Sequence, residues 1–131
     1  MEYADDGDLQ VIPFITQYRV KKALLNKTRI PEEEIWKVAY ECLEGLNKLH
    51  ESNIIHRDIK PANIFFRKGI AKIGDLNVAK HLVDVFTHTQ TGTPYYASPE
   101  VWNEEPYNYK TDTWSLGCVL YEMAMLKPPF R

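Results

Sequence analysis

Several things are scarce in this chain, and each scarcity narrows what it can do. No apolar run is long enough to span a bilayer, for which about 20 predominantly apolar residues are needed. The opening residues, MEYADDGD, are acidic where a secretory signal would be basic, so no signal peptide is expected. An excess of one charge is missing too. Sixteen Lys and Arg stand against 18 Asp and Glu, a net charge of −2. Nucleic acid and anionic membranes therefore have no electrostatic claim as partners. Cysteine is sparse. Cys42 and Cys118 each sit in an apolar pattern of helical spacing, so both are expected to be buried, reduced thiols. The four histidines (His50, His56, His81, His88) show no zinc spacing with one another or with the cysteines, and no structural metal is expected. Glycine is also thin, with six residues and no GxGxxG loop among them. Asn26-Lys27-Thr28 fits a glycosylation acceptor but is read as chance without a secretory signal.

What is present suits one globular unit: 131 residues, 44% apolar. Residues 1–8 read as the end of a strand and a turn, with Asp5-Asp6-Gly7 as turn chemistry. Asp8 can cap a helix starting near Leu9, with Leu9, Ile12 and Ile15 on one face and Pro13 shortening or kinking it. Arg19, Lys21, Lys22, Lys27 and Arg29 form a basic run. It is either a solvated loop and helix surface or a docking patch for an acidic partner.

The clearest helix spans 31–51. Pro31 suits its first position and Glu32-Glu33-Glu34 suit the positive end of the helix dipole. Ile35, Val38, Cys42, Leu46 and Leu49 fall on one stripe with Ala39 and Leu43 beside it, and Ser52-Asn53 ends it. Phe65-Phe66 and 70–73 read as short strands joined by a turn at Arg67-Lys68-Gly69. Residues 78–98 form a long, threonine-rich irregular loop, and a short helix runs from Ser98-Pro99-Glu100 through Trp102. The last helix, 110–125, is apolar almost all round, a pattern that belongs in the middle of a core; with little else in the chain to cover it, it is expected to expose apolar surface.

The chemistry gathers in HRDIKPAN, residues 56–63, a polar loop between the apolar pair Ile54-Ile55 and the run Ile64-Phe65-Phe66. Asp58 can accept a proton, Lys60 can neutralise phosphate charge, and the amide oxygen of Asn63 can hold Mg²⁺. The strand at 70–73 empties into Gly74-Asp75, which puts a second acid near Asn63 if the strands pair. Asp75 alone reads equally well as a turn-capping aspartate; beside Asn63 it makes a plausible magnesium site. These are the tools of phosphoryl transfer, in which the protein positions groups and stabilises charge.

HRDIKPAN (56–63), GDLN (74–77), TGTPYYASPE (91–100) and DTWSLGCVLYEM (112–123) occur in order at fitting spacings. Together they resemble the large lobe of a eukaryotic protein kinase, and HTQTGTPYYASPEVW with WSLGCVLYEM is most similar to the NIMA-related serine/threonine kinases. The resemblance covers essentially the whole chain. It implies a mainly α fold with short β-hairpins, an incomplete large lobe with the small lobe absent. Residues 1–8 would be the hinge, and 9–131 the large lobe up to its central buried helix. It implies ATP and Mg²⁺ as cofactors and Ser/Thr-bearing proteins as substrates. By position, Asp58 is the catalytic aspartate that orients the substrate hydroxyl and accepts its proton, Lys60 steadies the phosphoryl group, and Asn63 and Asp75 are the magnesium ligands. The backbone at Glu2 and Ala4 contacts adenine, Asp8 the ribose, and Phe65 covers adenine. Thr93, with Lys60, marks the serine/threonine form and would hydrogen-bond near Asp58. Arg57 would pair with a phosphate on Thr89, added by an upstream kinase or by autophosphorylation. His56 and Leu76 match members of the regulatory stack, and Asp112 the buried acid that anchors the backbone of the HRD loop. A cytoplasmic setting, with cytoskeletal or ciliary association, is implied at the family level.

Departures from the pattern matter. Asn77 stands where that family has glycine, and asparagine best tolerates a left-handed backbone there. Leu76 replaces phenylalanine, and Ser98 replaces alanine. Lys72 lies three residues before Asp75, so it is not the small-lobe phosphate lysine. The expectation is therefore a partial chain, inactive and poorly soluble alone, from an active kinase; the alternative is a truncated or pseudokinase module acting as a scaffold through residues 19–29.

Overall fold

The computed structural model describes residues 15–76, 79–81 and 94–130. Helix α1 (Ile15–Asn26) turns Thr16, Val20 and Ala23 inward, a spacing of one helical face. Residues 9–14, where the helix was expected to start, lie outside the described residues. The basic run is not uniformly solvated. Lys21, Lys22, Lys27 and Arg29 are exposed, but Arg19 pairs with Glu34 and sits over the Phe66 ring, 4.6 Å from its centroid. Arg19 thereby ties α1 to the helix and strand that follow.

Helix α2 (Glu32–Glu51) carries the expected stripe: Val38, Cys42 and Leu46 are essentially inaccessible, with Ile35 and Leu49 packed against them. Two details differ. Pro31 has extended ψ (140°) and precedes the helix instead of opening it, offering its carbonyl to the amides of Glu34 and Ile35. Leu43 faces solvent, 48% exposed, because it lies outside the arc that meets the core. Asn53, left-handed at φ 56°, ends the run by donating to the His50 carbonyl.

Strand β1 (Ile54–Ile55) pairs antiparallel with β4 (Lys80–His81). Strands β2 (Ile64–Arg67) and β3 (Ile70–Ile73) form an antiparallel hairpin, Ile64 opposite Ile73 and Arg67 opposite Ile70. Arg67 thus belongs to the strand, and the turn has two residues instead of the expected three. Lys68 and Gly69 both have positive φ, which matches the right-handed strand twist.

Helix α3 (Pro99–Trp102) is a single turn, and α4 (Lys110–Met125) follows. Helix α4 packs on α2 through Leu116, Val119 and Met123, all nearly inaccessible. It is not buried all round, as expected where little of the chain can cover it. Trp114, Tyr121 and Met125 are 39%, 41% and 53% exposed, and Trp114 stacks on Phe130 with centroids 5.7 Å apart. Besides α2, the helix meets the turn Pro94–Tyr96 and α1. Among the described residues no helix is long and apolar enough to cross a membrane.

Both cysteines are free and buried, as their helical spacing predicts. Burial pushes the Cys42 thiol up to about 12, with Glu41 adding to it. Thiolate is the reactive form, so Cys42 should resist iodoacetamide at pH 8 in the folded protein and react once urea unfolds it, as peptide mass mapping would show.

Candidate functional site

The loop between β1 and β2 is held by one carboxylate. Asp112, in the first turn of α4 and 1% exposed, accepts the His56 amide at Oδ2 and the Arg57 amide at Oδ1, each at 2.9 Å. His50, at the end of α2, adds its Nε2 to Oδ2 at 2.8 Å. A buried carboxylate is costly unless several donors satisfy it, and here donors come from two segments. Arg57 is left-handed at φ 68°, a strained state for a residue with a Cβ, of order 1–2 kcal/mol. The Asp112 bond holds that strain in place. The Arg57 guanidinium also donates to the Tyr107 hydroxyl at 3.1 Å.

His56 is fully buried and spans the site. Its Nδ1 accepts the Asp58 amide at 3.3 Å, so Nε2 carries the hydrogen and donates to the Gly74 carbonyl at 2.9 Å. One imidazole therefore links the HRD loop to the end of β3.

Asp58 and its neighbours form a cluster. Lys60 Nζ lies 2.7 Å from Asp58 Oδ2. Asn63 Nδ2 donates to the Asp58 carbonyl at 2.8 Å and to Oδ2 at 3.1 Å. That turns the Asn63 amide oxygen, the atom able to ligate a cation, away from Asp58. Asp58 Oδ1 is buried and meets no hydrogen-bond donor among the described residues. A buried acceptor without a donor costs about 1–3 kcal/mol, so this oxygen is the unsatisfied point of the cluster. The turn Pro61–Asn63 and buried Ile59 pin the loop from beneath.

Asp75 arrives by the hairpin. The Gly74 amide donates to the Asn63 carbonyl at 3.0 Å, extending the β2–β3 ladder by one pair. Asp75 thus stands one residue beyond the residue opposite Asn63, and its φ of 61° swings the chain out of the strand. Gly74 has no alternative: a Cβ there would lie 2.5 Å from the Phe65 ring. Phe65 itself is half-buried, its ring against Gly74. Asn63 and Asp75 fit a hard cation, which takes oxygen ligands.

Glu2, Ala4, Asp8, Asn77, Thr89 and Thr93 lie outside the described residues. Beyond them, the turn Pro94–Tyr96 is fastened to α4. Tyr96 donates to Glu122 at 2.6 Å and its carbonyl accepts from Ser115 Oγ at 2.7 Å. Burial, then that bond to Glu122, holds the Tyr96 hydroxyl far above its usual range, so it stays a donor. Ser98 shares a hydrogen bond with Thr111 at 2.8 Å.

Sequence reasoning missed His50, Tyr107 and the Tyr96–Glu122 pair. His50 had a signal, since it continues the buried stripe four residues after Leu46 and so needs a partner. Tyr107 had none.

The protein kinase domain family model matches residues 1–131. A probable serine/threonine-protein kinase nek2 of Dictyostelium discoideum is 42% identical, aligned over all of this chain and 31% of that protein. Serine/threonine-protein kinase Nek5 of Mus musculus is 44% identical over all of this chain and 20% of its own length. Human serine/threonine-protein kinase Nek2 is 38% identical over 99% of this chain and 29% of its own. The chain thus spans a third or less of these curated relatives.

Asp112→Ala should strand two backbone amides and His50 together. Urea unfolding of the 131-residue chain should show a loss of about 2–4 kcal/mol, against less than about 1 kcal/mol for an exposed acid such as Glu44→Ala.

Proposed function

Because the chain belongs to the protein kinase family and is most similar to its NIMA-related members, we propose that it is the large-lobe part of a serine/threonine kinase that transfers the γ-phosphoryl group of ATP to protein hydroxyls. The observation that carries this reading is the Asp58 carboxylate. One oxygen is held by Lys60 and Asn63, and the other is buried and meets no donor among the described residues.

The division of labour follows from that geometry. Asp58 Oδ1 accepts the hydrogen bond of the substrate hydroxyl and takes its proton as the oxygen attacks phosphorus. The bond from the γ-phosphorus to the bridging oxygen breaks, and ADP leaves. Lys60, already beside the carboxylate, carries positive charge to the transferring oxygens. Asn63 and Asp75 would hold Mg²⁺, which when bound neutralises phosphate charge. His56 keeps Asp58 and the Gly74–Asp75 turn in one frame. Glu2 and Ala4 backbone, Asp8 and Phe65 are proposed to receive adenine and ribose, and Thr93 to support Asp58. Arg57 is proposed as the acceptor of a Thr89 phosphate, which adds about −2 charge beside a fixed guanidinium. Substrates are proteins with Ser or Thr acceptors. The scaffold alternative is weaker, since Arg19 is drawn out of its basic run toward Glu34 and Phe66.

In the protein translated from the complete coding sequence, Asp58→Asn should lower the rate of γ-phosphoryl transfer from labelled ATP to casein by roughly 10²–10⁴-fold with the fold intact by circular dichroism. Unchanged turnover would reject the assignment. Thr89→Ala should leave activity at the level of phosphatase-treated wild type, and phosphatase should then have no further effect; a variant that matches untreated wild type removes the switch.

A further inference from the structure

Strand β3 pairs with β2 in a two-stranded hairpin, so its alternate amides point away from β2, where no strand among the described residues receives them. The register places Arg67 and Ile70 as the pair closing the turn, which leaves the Ala71 amide on the outer side. Ala71 is 2% exposed, and an unsatisfied amide there would be costly. Glu41 of α2 supplies the acceptor: Ala71 N donates to Glu41 Oε2 at 2.6 Å, a short bond to a carboxylate whose side chain is 14% exposed.

The bond belongs to a longer match. Four residues earlier on α2, Lys37 Nζ stands 4.0 Å from Glu41 Oε1 and 3.9 Å from where a Cβ of Gly69 would be. Four residues later, a Cβ on Gly45 would meet Ile73 Cδ1 at 3.8 Å. Positions 37, 41 and 45 thus run beside 69, 71 and 73. Four helical residues rise about 6 Å and two strand residues about 6.6 Å, so the two elements keep step. Of these three contacts only the one at Glu41 is a short directional bond; van der Waals contacts could slide. Two residues beyond Ile73 stands Asp75.

We infer that Glu41 is a positioning residue: its carboxylate fixes where the β2–β3 hairpin lies along α2 and so where Asp75 stands relative to Asp58, whose loop is tied to the same helix through Asp112 and His50. This rests on the cation role of Asp75 given above. In the complete protein, Glu41→Ala should weaken Mn²⁺ binding in the presence of ATP about tenfold, read by the electron paramagnetic resonance of free Mn²⁺. The Mg²⁺ concentration for half-maximal phosphorylation of casein should rise by a similar factor, while the rate at saturating Mg²⁺ falls less than about threefold. Glu41→Gln, whose amide oxygen still accepts from Ala71, should stay within about twofold of wild type. If Glu41→Ala does not fold, Glu41→Asp, one methylene short of Ala71, carries the same test. A lower melting temperature with unchanged Mn²⁺ affinity would mean a merely structural contact and would overturn the inference. Wild-type protein that neither binds Mn²⁺ with ATP nor phosphorylates casein would overturn the proposed function itself, and the inference with it.

Discussion

Everything in the site hangs from the Asp112 carboxylate. It is bonded to two consecutive backbone amides of one loop and to a histidine on another helix. The loop could not keep its shape otherwise, because Arg57 sits in a left-handed state that a free chain would leave. Its place in the first turn of α4 also sets the carboxylate near the positive end of that helix's dipole. The loop, α2 and α4 are thereby joined at one buried point. Removing the charge would leave three donors facing a void, which is why the cost of losing such a group exceeds the value of any single bond.

Helix α2 serves both sides of this arrangement. Its apolar stripe makes the core with α4, its last turn gives His50 to Asp112, and its flank gives Glu41 to Ala71. The two routes converge again at His56, which reaches from the Asp58 amide to the Gly74 carbonyl. Asp58 and Asp75 come from different strands, yet each is referred to the same helix. A small shift of α2 would move both together and preserve their spacing. A shift of the hairpin alone would not, and Glu41 and His56 oppose that motion.

Much of this was legible beforehand, for reasons that differ by element. The α2 stripe was read from its period, since a core-facing helix repeats its apolar positions. The order of HRDIKPAN, GDLN, TGTPYYASPE and DTWSLGCVLYEM pointed to the family, which the match over residues 1–131 bears out. The proximity of Asn63 and Gly74 followed from the hairpin, because a tight turn fixes the register of everything on either side. What escaped was the polar wiring. No period encodes that Glu41 caps a strand amide or that Tyr107 receives Arg57, because such bonds depend on how elements are set against each other. The all-apolar look of α4 marks a related limit. Composition says how much surface an element could bury, while the neighbours present decide how much it does.

The unsatisfied oxygen on Asp58 follows from the same economy of donors. Lys60 and Asn63 both bind Oδ2, and the Asn63 amide adds the Asp58 carbonyl. Had either side chain instead reached Oδ1, the carboxylate would be fully satisfied and chemically idle. The spacing forbids it: the turn Pro61–Asn63 brings Asn63 back under the loop on the Oδ2 side, with its amide donating to the Lys60 carbonyl at 2.9 Å. Five residues thus give two donors on one oxygen and none on its twin among the described residues. That asymmetry is what the proposed proton-accepting role of Asp58 rests on. Asp112, satisfied at both oxygens, is the structural counterpart within the same few residues of space.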